Sequence, residues 1–167
     1  MSRTGKTSAA AVAIMIAALS IAPPASAHGF GNVLRRLANE ASVEQSGRGN
    51  GAATTQNGAA NDSAIAQTGD SLTASVHQNG DDNNAAIRQI GRNNTGSITQ
   101  NGSGNDACLI QFGRNVNGEI VQTGDNQSTG LLQTHRGSMP IPVEMCQAYG
   151  SHHGLGFLMR TAHRARR

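Results

Sequence analysis

The stretch IRQIGRNNTGSITQNG, from Ile87 to Gly102, places a glycine two positions after Gln89 and repeats the pair at Gln100. The same step along the chain, taken in both directions, places nine of the chain's eleven glutamines in one register: Gln45, Gln56, Gln67, Gln78, Gln89, Gln100, Gln111, Gln122 and Gln133. A glycine follows each of them except the last, where His135 stands, and these glycines are Gly47, Gly58, Gly69, Gly80, Gly91, Gly102, Gly113 and Gly124. A short fixed period of this kind predicts a repeat architecture.

The residues before each glutamine also keep their type from unit to unit. Four residues before it the side chain is small in nearly every unit, and two residues before it the side chain is aliphatic everywhere except at Thr54. The aliphatic positions are Val43, Ile65, Val76, Ile87, Ile98, Leu109, Ile120 and Leu131. Residues of equal parity along a strand point to one face. Each unit therefore predicts a five-residue strand with one buried and one solvated face.

The segments between these strands are rich in glycine, asparagine and aspartate, which accept the positive φ values of tight turns. Two 11-residue strand-turn units close one rung of 22 residues. Stacked rungs then form an all-β solenoid with two facing sheets, and alternate glutamines stack in each sheet. At a spacing of about 4.8 Å each buried amide can bond the amides above and below it, as in cross-β assemblies. The recurrence thereby aligns like residues along a fibril axis.

The chain is predicted to comprise four segments. Residues 1–27 have the basic start, apolar run and small-x-small ending of a secretory signal peptide, with cleavage after Ala27. The apolar run from Ala9 to Ala22 is shorter than the roughly 20 residues that a transmembrane anchor needs. Residues 28–40 form a leader, 41–134 the repeats and 135–167 a basic C-terminal tail. Export places the mature chain where disulfides persist.

Composition and charge exclude several classes of protein. With three Phe, one Tyr and no Trp, the chain lacks the large side chains on which an ordinary hydrophobic core depends. Residues 41–134 hold four arginines against eight acidic residues, whereas residues 135–167 hold five arginines against one glutamate. The basic character thus belongs to the tail. A mildly acidic repeat body without aromatic platforms argues against nucleic-acid binding.

The repeat units resemble the curlin pattern Q-x-G-x-x-N-x-A-x-x-x-Q. QSGRGNGAATTQ (Gln45 to Gln56), QNGDDNNAAIRQ (Gln78 to Gln89) and QNGSGNDACLIQ (Gln100 to Gln111) fit it in every named position. Gly96 replaces the alanine in one unit. Other residues replace the asparagine at three positions, Leu72, Val116 and Gln127. Weaker stacking is expected where the asparagine is missing.

The resemblance, which covers residues 41–134, implies a structural subunit of an extracellular curli-type functional amyloid fibre, or pilus, that serves adhesion and biofilm matrix. It implies Sec export through the periplasm, an outer-membrane export pore and periplasmic assembly factors. The implied partners are further copies of the chain and a second curlin-type subunit. A major subunit and a minor, nucleating subunit that anchors fibres remain alternatives. A monomeric secreted β-solenoid that binds a ligand is a more remote alternative, because the outward residues Thr55, Ala66, His77, Arg88 and Thr99 form no regular column.

No catalytic, cofactor or metal site is predicted. GSGNDA, Gly102 to Ala107, matches a dinucleotide fingerprint but precedes a predicted strand where that fingerprint requires a helix. Asp81 and Asp82 lack the spacing of a calcium loop. His152, His153 and His163 lack a further ligand at metal-site spacing. We therefore predict that the protein is not an enzyme.

Five aspartates are predicted to lie between strands, where stacking would align like charges one rung apart. They are Asp70, Asp81, Asp82, Asp106 and Asp125. Such charges act as gatekeepers when they delay self-assembly until secretion is complete.

The tail is predicted to cover an apolar outer patch at the end of the repeats. The outward residues Cys108, Ile110 and Leu132 belong to one sheet, and Val121 to the other. Four apolar tail residues follow at alternate positions and could cover the patch: Met139, Ile141, Val143 and Met145. We predict a disulfide between Cys108 and Cys146 that straps the tail across the last rungs. Residues 154–167 combine apolar and arginine side chains, and they predict a short basic amphipathic helix that touches the outer membrane or an anionic partner.

Overall fold

A computed structural model of the protein describes residues 11–17 and 38–147. The strands, in chain order, are β1 (Ala11–Ala17), β2 (Glu40–Ser46), β3 (Gly51–Asn57), β4 (Asp62–Asp70), β5 (Thr73–Asn79), β6 (Asn84–Arg92), β7 (Thr95–Asn101), β8 (Asp106–Arg114), β9 (Asn117–Thr123), β10 (Ser128–Thr134) and β11 (Gly137–Pro140). A short helix, α1 (Glu144–Gln147), follows the last strand.

The strands form two sheets, and the successive repeat units alternate between them. Sheet A has the order β1-β3-β5-β7-β9, and sheet B has the order β11-β10-β8-β6-β4-β2. Consecutive repeat strands alternate between the sheets, and every repeat strand pairs in parallel with the next but one, so that Ile65 lies opposite Ile87 and Gln67 opposite Gln89. The predicted fold is confirmed: the chain is an all-β, two-sheet solenoid of 11-residue units, with a non-repeat C-terminal region.

The strands are longer than the five residues predicted. Those of the repeats contain seven or nine residues, and the connection after β6 shrinks to residues 93–94. In β6, for example, pairing with β8 continues through Ile90, Gly91 and Arg92. Side-chain alternation reports only which residues are buried, whereas backbone hydrogen bonds extend a strand wherever two chains run in register. The sequence pattern therefore located the strands but underestimated their length.

The core is a dry seam of stacked aliphatic residues between the two sheets. Six of them are at most 4 % exposed: Ile65, Val76, Ile87, Ile98, Leu109 and Ile120. Val43 and Leu131 are partly buried at the two ends of this seam. Thr54 interrupts the aliphatic column, and its Oγ1 accepts a hydrogen bond from Ser63 Oγ at 3.4 Å. Each fully buried aliphatic side chain contributes about 1.5–3 kcal/mol, which compensates for the lack of aromatic residues.

The two ends of the solenoid are built differently. At the N-terminal end, β1 pairs in parallel with β3, with Ile14 opposite Thr54 and Ile16 opposite Gln56. β1 lies within the predicted signal peptide. The predicted cleavage position after Ala27 and residues 28–37 of the predicted leader lie outside the described residues. At the C-terminal end, β11 pairs with β10 in antiparallel orientation and thereby ends the parallel stacking of sheet B.

Candidate functional site: the amide ladders and the solenoid ends

The glutamines form one continuous ladder in each sheet. In sheet B, the Nε2 of Gln67 donates to Gln89 Oε1 at 2.8 Å, and Gln111 Nε2 donates to Gln133 Oε1 at 3.0 Å. In sheet A, the three bonds from Gln56 to Gln122 measure 2.8, 2.9 and 2.8 Å. Seven glutamines are at most 1 % exposed: Gln56, Gln67, Gln78, Gln89, Gln100, Gln111 and Gln122. Gln45 also donates to Gln67, and Gln45 is partly buried.

Each ladder has a direction. Besides its ladder bond, the Nε2 of Gln67 donates to the backbone carbonyl of Gly51, in the facing sheet, at 3.0 Å. Gln89 makes the equivalent bond to the Thr73 carbonyl at 2.8 Å. A carbonyl oxygen only accepts, so these contacts fix which side-chain atom is the nitrogen. Every ladder bond consequently runs in one direction, because the glutamine nearer the N-terminal end donates and the next one toward the C-terminal end accepts.

The N-terminal end of both ladders is unsatisfied. Among the described residues, two buried side-chain oxygens have no hydrogen-bond partner, and they are Gln45 Oε1 and Gln56 Oε1. These atoms belong to the first glutamine of each ladder, on β2 and β3. In the backbone register, β1 places Ile16, and not a glutamine, opposite Gln56. Burying an acceptor without a partner costs about 1–3 kcal/mol. We define the outer edges of β2 and β3 as the N-terminal face.

Five asparagines form a second set of ladders at the corners, a role absent from the predicted site residues. Asn50, Asn61, Asn83, Asn94 and Asn105 are at most 3 % exposed. In the middle of this set, Asn83 Nδ2 donates to the Gly102 carbonyl at 2.8 Å, and Asn83 Oδ1 accepts the Asn105 backbone N–H at 3.1 Å. Each asparagine thus ties its corner to the next rung. The available signal was the asparagine of the curlin pattern, five residues after the glutamine.

Two of the three positions without asparagine are filled by buried aliphatic side chains. Leu72 is fully buried and Val116 is 6 % exposed. Their backbone N–H groups still donate to Asn50 Oδ1 and Asn94 Oδ1, both at 3.0 Å. At the third position, the backbone N–H of Gln127 donates to Asn105 Oδ1 at 2.9 Å. The hydrogen bond from the backbone N–H to the preceding asparagine therefore survives the replacement, and only the bonds of the missing side-chain amide are lost. Weaker stacking at these positions stays a prediction.

The predicted turn glycines adopt backbone conformations that other residues rarely reach. Their φ values run from 103° at Gly58 to 134° at Gly91. A Cβ on Gly69 or Gly91 would overlap the carbonyl of the equivalent glycine one rung on. Both the positive φ and this close approach require glycine. A second positive φ follows two residues later, and there the chain uses Ala60 at 58° and Ser71 at 56°.

The prediction that all five aspartates lie between strands was wrong for two of them. Asp70 ends β4 and Asp106 begins β8, because strand pairing extends beyond the alternating residues. Asp70 also pairs with Arg92, whose Nε lies 3.5 Å from Asp70 Oδ2. Both side chains of this pair are exposed, so its contribution to stability is small.

The prediction that stacking aligns the remaining aspartates as like charges on adjacent rungs was also wrong. Asp81 Oδ1 accepts the Ala59 backbone N–H at 2.8 Å, and Asp125 Oδ1 accepts the Ser103 backbone N–H at 2.7 Å. Ser103 Oγ also accepts the Asp81 backbone N–H at 3.3 Å, so a serine separates the two carboxylates. These carboxylates therefore accept hydrogen bonds from backbone N–H groups of the turns as well as carrying charge.

One pair of acids does share adjacent rungs, at the N-terminal face. Asp62 lies opposite Glu40 in the pairing of β4 with β2. Withdrawal of water from the Asp62 carboxyl raises its pKa above the ordinary 3.8, and the charge of Glu40 raises it further. A hydrogen bond from the Ser63 backbone N–H lowers the pKa in part. The folded chain therefore holds a proton on Asp62 more tightly than the unfolded chain.

A disulfide joins Cys108 to Cys146 at the C-terminal end, with 5.7 Å between the two Cα atoms. Cys108 is fully buried and Ile110 is 4 % exposed. Partly buried residues pack around them, and these are Ala86, Leu132, Ile141, Val143 and Met145. The tail therefore covers the outer patch of sheet B.

Met139 does not take part in this cover and is 57 % exposed. β11 extends sheet B sideways and places Met139 opposite Leu132, at the margin of the patch and not over it. Val121 lies on the other sheet and is 58 % exposed. Residues 154–167, the predicted basic amphipathic segment, lie outside the described residues.

The outward residues are divided between two outer faces, one for each sheet. Thr55, His77 and Thr99 are in register in sheet A, whereas Ala66 and Arg88 belong to sheet B. On the outer face of sheet A, Ser75 lies opposite Ser97 and Asn79 opposite Asn101, whereas His77, Glu119 and Val121 interrupt the rows.

The described residues hold no group of three or more His, Cys, Asp or Glu side chains that could bind a metal ion. His152, His153 and His163 lie outside them. Gly102 and Gly104 lie in the connection before β8, which is a strand and not the helix of a dinucleotide site. In the part of the chain that the structure describes, no helix has the length and hydropathy to cross a membrane.

Two parallel sheets, stacked on buried amide ladders that join each residue to the equivalent one on the next rung, define a β-solenoid of the cross-β type. The curlin associated repeat family matches the chain over residues 38–69, 47–80, 64–91 and 91–116. The chain belongs to the curlin-repeat family. No curated protein and no solved structure gave a significant match to it. Curlin repeats on a solenoid fold are the features of a curli-type subunit.

Proposed function

We propose that the protein is a structural subunit of an extracellular curli-type functional amyloid fibre that serves adhesion and biofilm matrix. Assembly continues the glutamine, asparagine and aliphatic columns from one chain into the next. The observation that carries this proposal is the pair of buried, unpartnered acceptors, Gln45 Oε1 and Gln56 Oε1, on the N-terminal face. A further strand with glutamine in the same register supplies the missing donors.

The number of repeat strands sets the geometry of such a contact. Sheet B contains five repeat strands, from β2 to β10, and sheet A contains four, from β3 to β9. A following chain that keeps the alternation therefore places its β2 on β9 and its β3 on β10, and the second of these contacts requires β11 to leave the edge of β10. Its Gln45 then meets Gln122 and its Gln56 meets Gln133. Successive chains are related by about half a turn around the fibre axis.

The second candidate is a minor subunit that nucleates fibres and anchors them at the cell surface. The observation that favours it is the non-repeat C-terminal segment, which the Cys108–Cys146 disulfide holds on sheet B. Export by Sec, passage through a curli pore and help from periplasmic assembly factors are proposed from the family resemblance. A monomeric binding protein stays the more remote candidate, with the outer face of sheet A as its surface.

Fibre formation by the secreted protein tests the leading proposal. Protein recovered from the medium under non-reducing conditions should form fibres, on incubation alone or with a curlin-type partner, that bind thioflavin T. The fibres should show spacings of about 4.8 Å and 10 Å. A stable monomer at high concentration under both conditions would contradict the proposal. Deleting the gene separates the two roles: soluble partner subunit left behind indicates a nucleator, and loss of nearly all fibre indicates a major subunit.

A further inference from the structure

The C-terminal end of sheet B is closed to further parallel strands. β11 occupies the edge of β10, with Thr134 opposite Gly137 and Leu131 opposite Pro140. The repeat pattern would place a parallel strand in this position. Proline lacks a backbone N–H, so Pro140 offers no donor to another strand, and neither does Pro142 two residues on.

Two further contacts hold this segment in place. The Ile141 backbone N–H donates to the Gly130 carbonyl at 2.9 Å. A Cβ on Gly130 would overlap the Ile141 carbonyl, so the absence of a side chain lets the tail approach β10. The disulfide then fixes the tail to β8, across 38 residues of chain. The segment is thus held by a strand pairing, a glycine contact and a covalent bond.

The N-terminal face, in contrast, is open to a further strand. β2 is an edge strand of sheet B as described. β3 is covered by β1, which lies in the predicted signal peptide. The predicted cleavage after Ala27 would remove β1 and leave Gln56 Oε1 at an open edge, where water or a partner strand can reach it. The two acceptors on this face can accept hydrogen bonds but offer none, so their partner must present side-chain N–H donors. The ladder direction points to the C-terminal rung of a curlin solenoid, whose last glutamines have no further ladder acceptor. In this chain the Nε2 of Gln122 donates instead to the Asp106 carbonyl and to Thr129 Oγ1, and a docking strand would replace the second of these acceptors.

We propose that residues 137–146 are a cap that closes the C-terminal end of the chain, which therefore joins a fibre through its N-terminal face. Its partner there is a curlin-type chain with an uncapped C-terminal rung, whose glutamine donors meet Gln45 and Gln56. A second strapped copy cannot act as that partner, because its own β10 edge is occupied. The edge of β9 alone offers half of the contact. This inference rests on the proposed function and specifies the partner.

Variants that release the cap test the inference. Gly130→Ala adds one methyl group where the tail must approach, while Ala64 and Ala86 already occupy the same outward column of sheet B. Cys108→Ala with Cys146→Ala removes the strap and continues that alanine column. Ser75→Ala is the control, because Ser75 is exposed on the central strand β5 and an alanine, Ala53, already occupies the equivalent position on the preceding rung. Circular dichroism and non-reducing mass spectrometry establish the fold and the disulfide state of each protein.

Thioflavin T kinetics are compared at equal concentrations of protein secreted from the full-length gene. We expect both cap variants, and wild type treated with a reducing agent, to polymerise with a lag about tenfold or more shorter than oxidised wild type. Ser75→Ala should behave like wild type. Equal lag times in all forms would overturn the cap and leave the fibre subunit intact. Absence of fibres from every form would overturn both.

A labelling experiment reads the direction of addition. Fibres of Gly130→Ala are fragmented into seeds and incubated with gold-labelled, oxidised wild-type protein. We expect the label at one tip of each seed in electron micrographs, and no further growth from that tip when Gly130→Ala protein is added. Label at both tips, or continued growth from a labelled tip, would overturn the cap.

Discussion

Gln56 donates from Nε2 to Gln78 Oε1 at 2.8 Å, yet its own Oε1 is buried without a partner. Every later glutamine of this ladder accepts a bond from the one before it. The difference lies in position alone, since Gln56 stands on the first strand of sheet A that belongs to the repeats. An unpaired acceptor at one end of a directed ladder gives a solenoid two chemically different ends. The predictions below follow from that asymmetry and from the contacts that support it.

Terminal and central glutamines should matter for different properties. Gln89→Leu leaves Gln67 Nε2 and Gln111 Oε1 without their ladder partner, at a cost of about 1–3 kcal/mol each. Gln45→Leu leaves only Gln67 Oε1 without one. We therefore expect Gln89→Leu to lower the free energy of unfolding more. Gln45→Leu should slow seeded elongation more, because Gln45 belongs to the intermolecular contact.

Chemical denaturation of the monomer and elongation from preformed seeds measure these two effects. Gln133→Leu is the companion variant at the opposite end of the same ladder. Equal elongation rates for substitutions at all nine glutamines would contradict the assignment of the N-terminal face.

Acid should stabilise the chain through Asp62. Its folded-state pKa is raised, so the ionised carboxylate opposes folding at neutral pH. As pH falls through the folded-state pKa, the folded chain takes up the proton first, and this penalty is fully relieved below the unfolded value of 3.8. Asp62→Asn should therefore raise the free energy of unfolding at pH 7, and its advantage over wild type should shrink toward pH 4.

Denaturation midpoints across this pH range provide the measurement. Asn84 already occupies the equivalent position on the next rung, so the substitution fits. Glu40→Gln should act in the same direction and more weakly, because Glu40 is the smaller cause of the shift. If Asp62→Asn raised the free energy of unfolding equally at every pH, the raised pKa of Asp62 could not be the cause.

Relief of backbone strain at Ala60 should stabilise the protein. Ala60 has a φ of 58°, where a Cβ costs about 1–2 kcal/mol. Glycine removes that cost but adds about 0.5–1 kcal/mol of unfolded-state entropy. Ala60→Gly should therefore raise the free energy of unfolding by about 0.5–1 kcal/mol. The neighbour Ala59 lacks a positive φ, and Ala59→Gly should lower stability in the same denaturation assay.

The turn aspartates should still delay assembly, although they also accept hydrogen bonds. Asp81→Asn and Asp125→Asn keep an oxygen for the Ala59 and Ser103 N–H groups and remove the charge. We expect a shorter thioflavin T lag at low salt, and a smaller change at high salt, where charges are screened. Asp70→Asn, which removes the ion pair with Arg92, is the comparison. An unchanged lag at low salt would refute the gatekeeper role.

Loss of the disulfide should lower stability and accelerate assembly together. The bond closes a loop across 38 residues, for which the chain-entropy model gives about 4 kcal/mol. Cys108→Ala with Cys146→Ala should therefore reduce the free energy of unfolding by up to about 4 kcal/mol. Urea denaturation measures the loss, with wild type under reducing conditions as the control. No loss in either case would mean that the apolar cluster alone holds the tail.

The sequence by itself determined the rung and its inner columns. The glutamines recur at one constant spacing, and aliphatic residues such as Ile65 and Ile87 precede them by two positions. This pattern places both residue types on the same face of each strand, and every second unit stacks. The turn glycines could also be identified from the sequence, because a backbone with positive φ strongly favours glycine. The tail was expected over Cys108 and Ile110 because apolar outward residues need a cover.

Tertiary structure decided the features that depend on neighbours across rungs. Pairing carried β4 to Asp70, beyond the alternating residues, because backbone hydrogen bonds do not require a side-chain pattern. The direction of the ladders came from contacts such as Gln67 with the Gly51 carbonyl, which join strands of facing sheets. Met139 was left exposed because β11 adds to the edge of sheet B and does not cross its face. A periodic sequence specifies which side chains stack, whereas the ends of the stack depend on what the last strand meets.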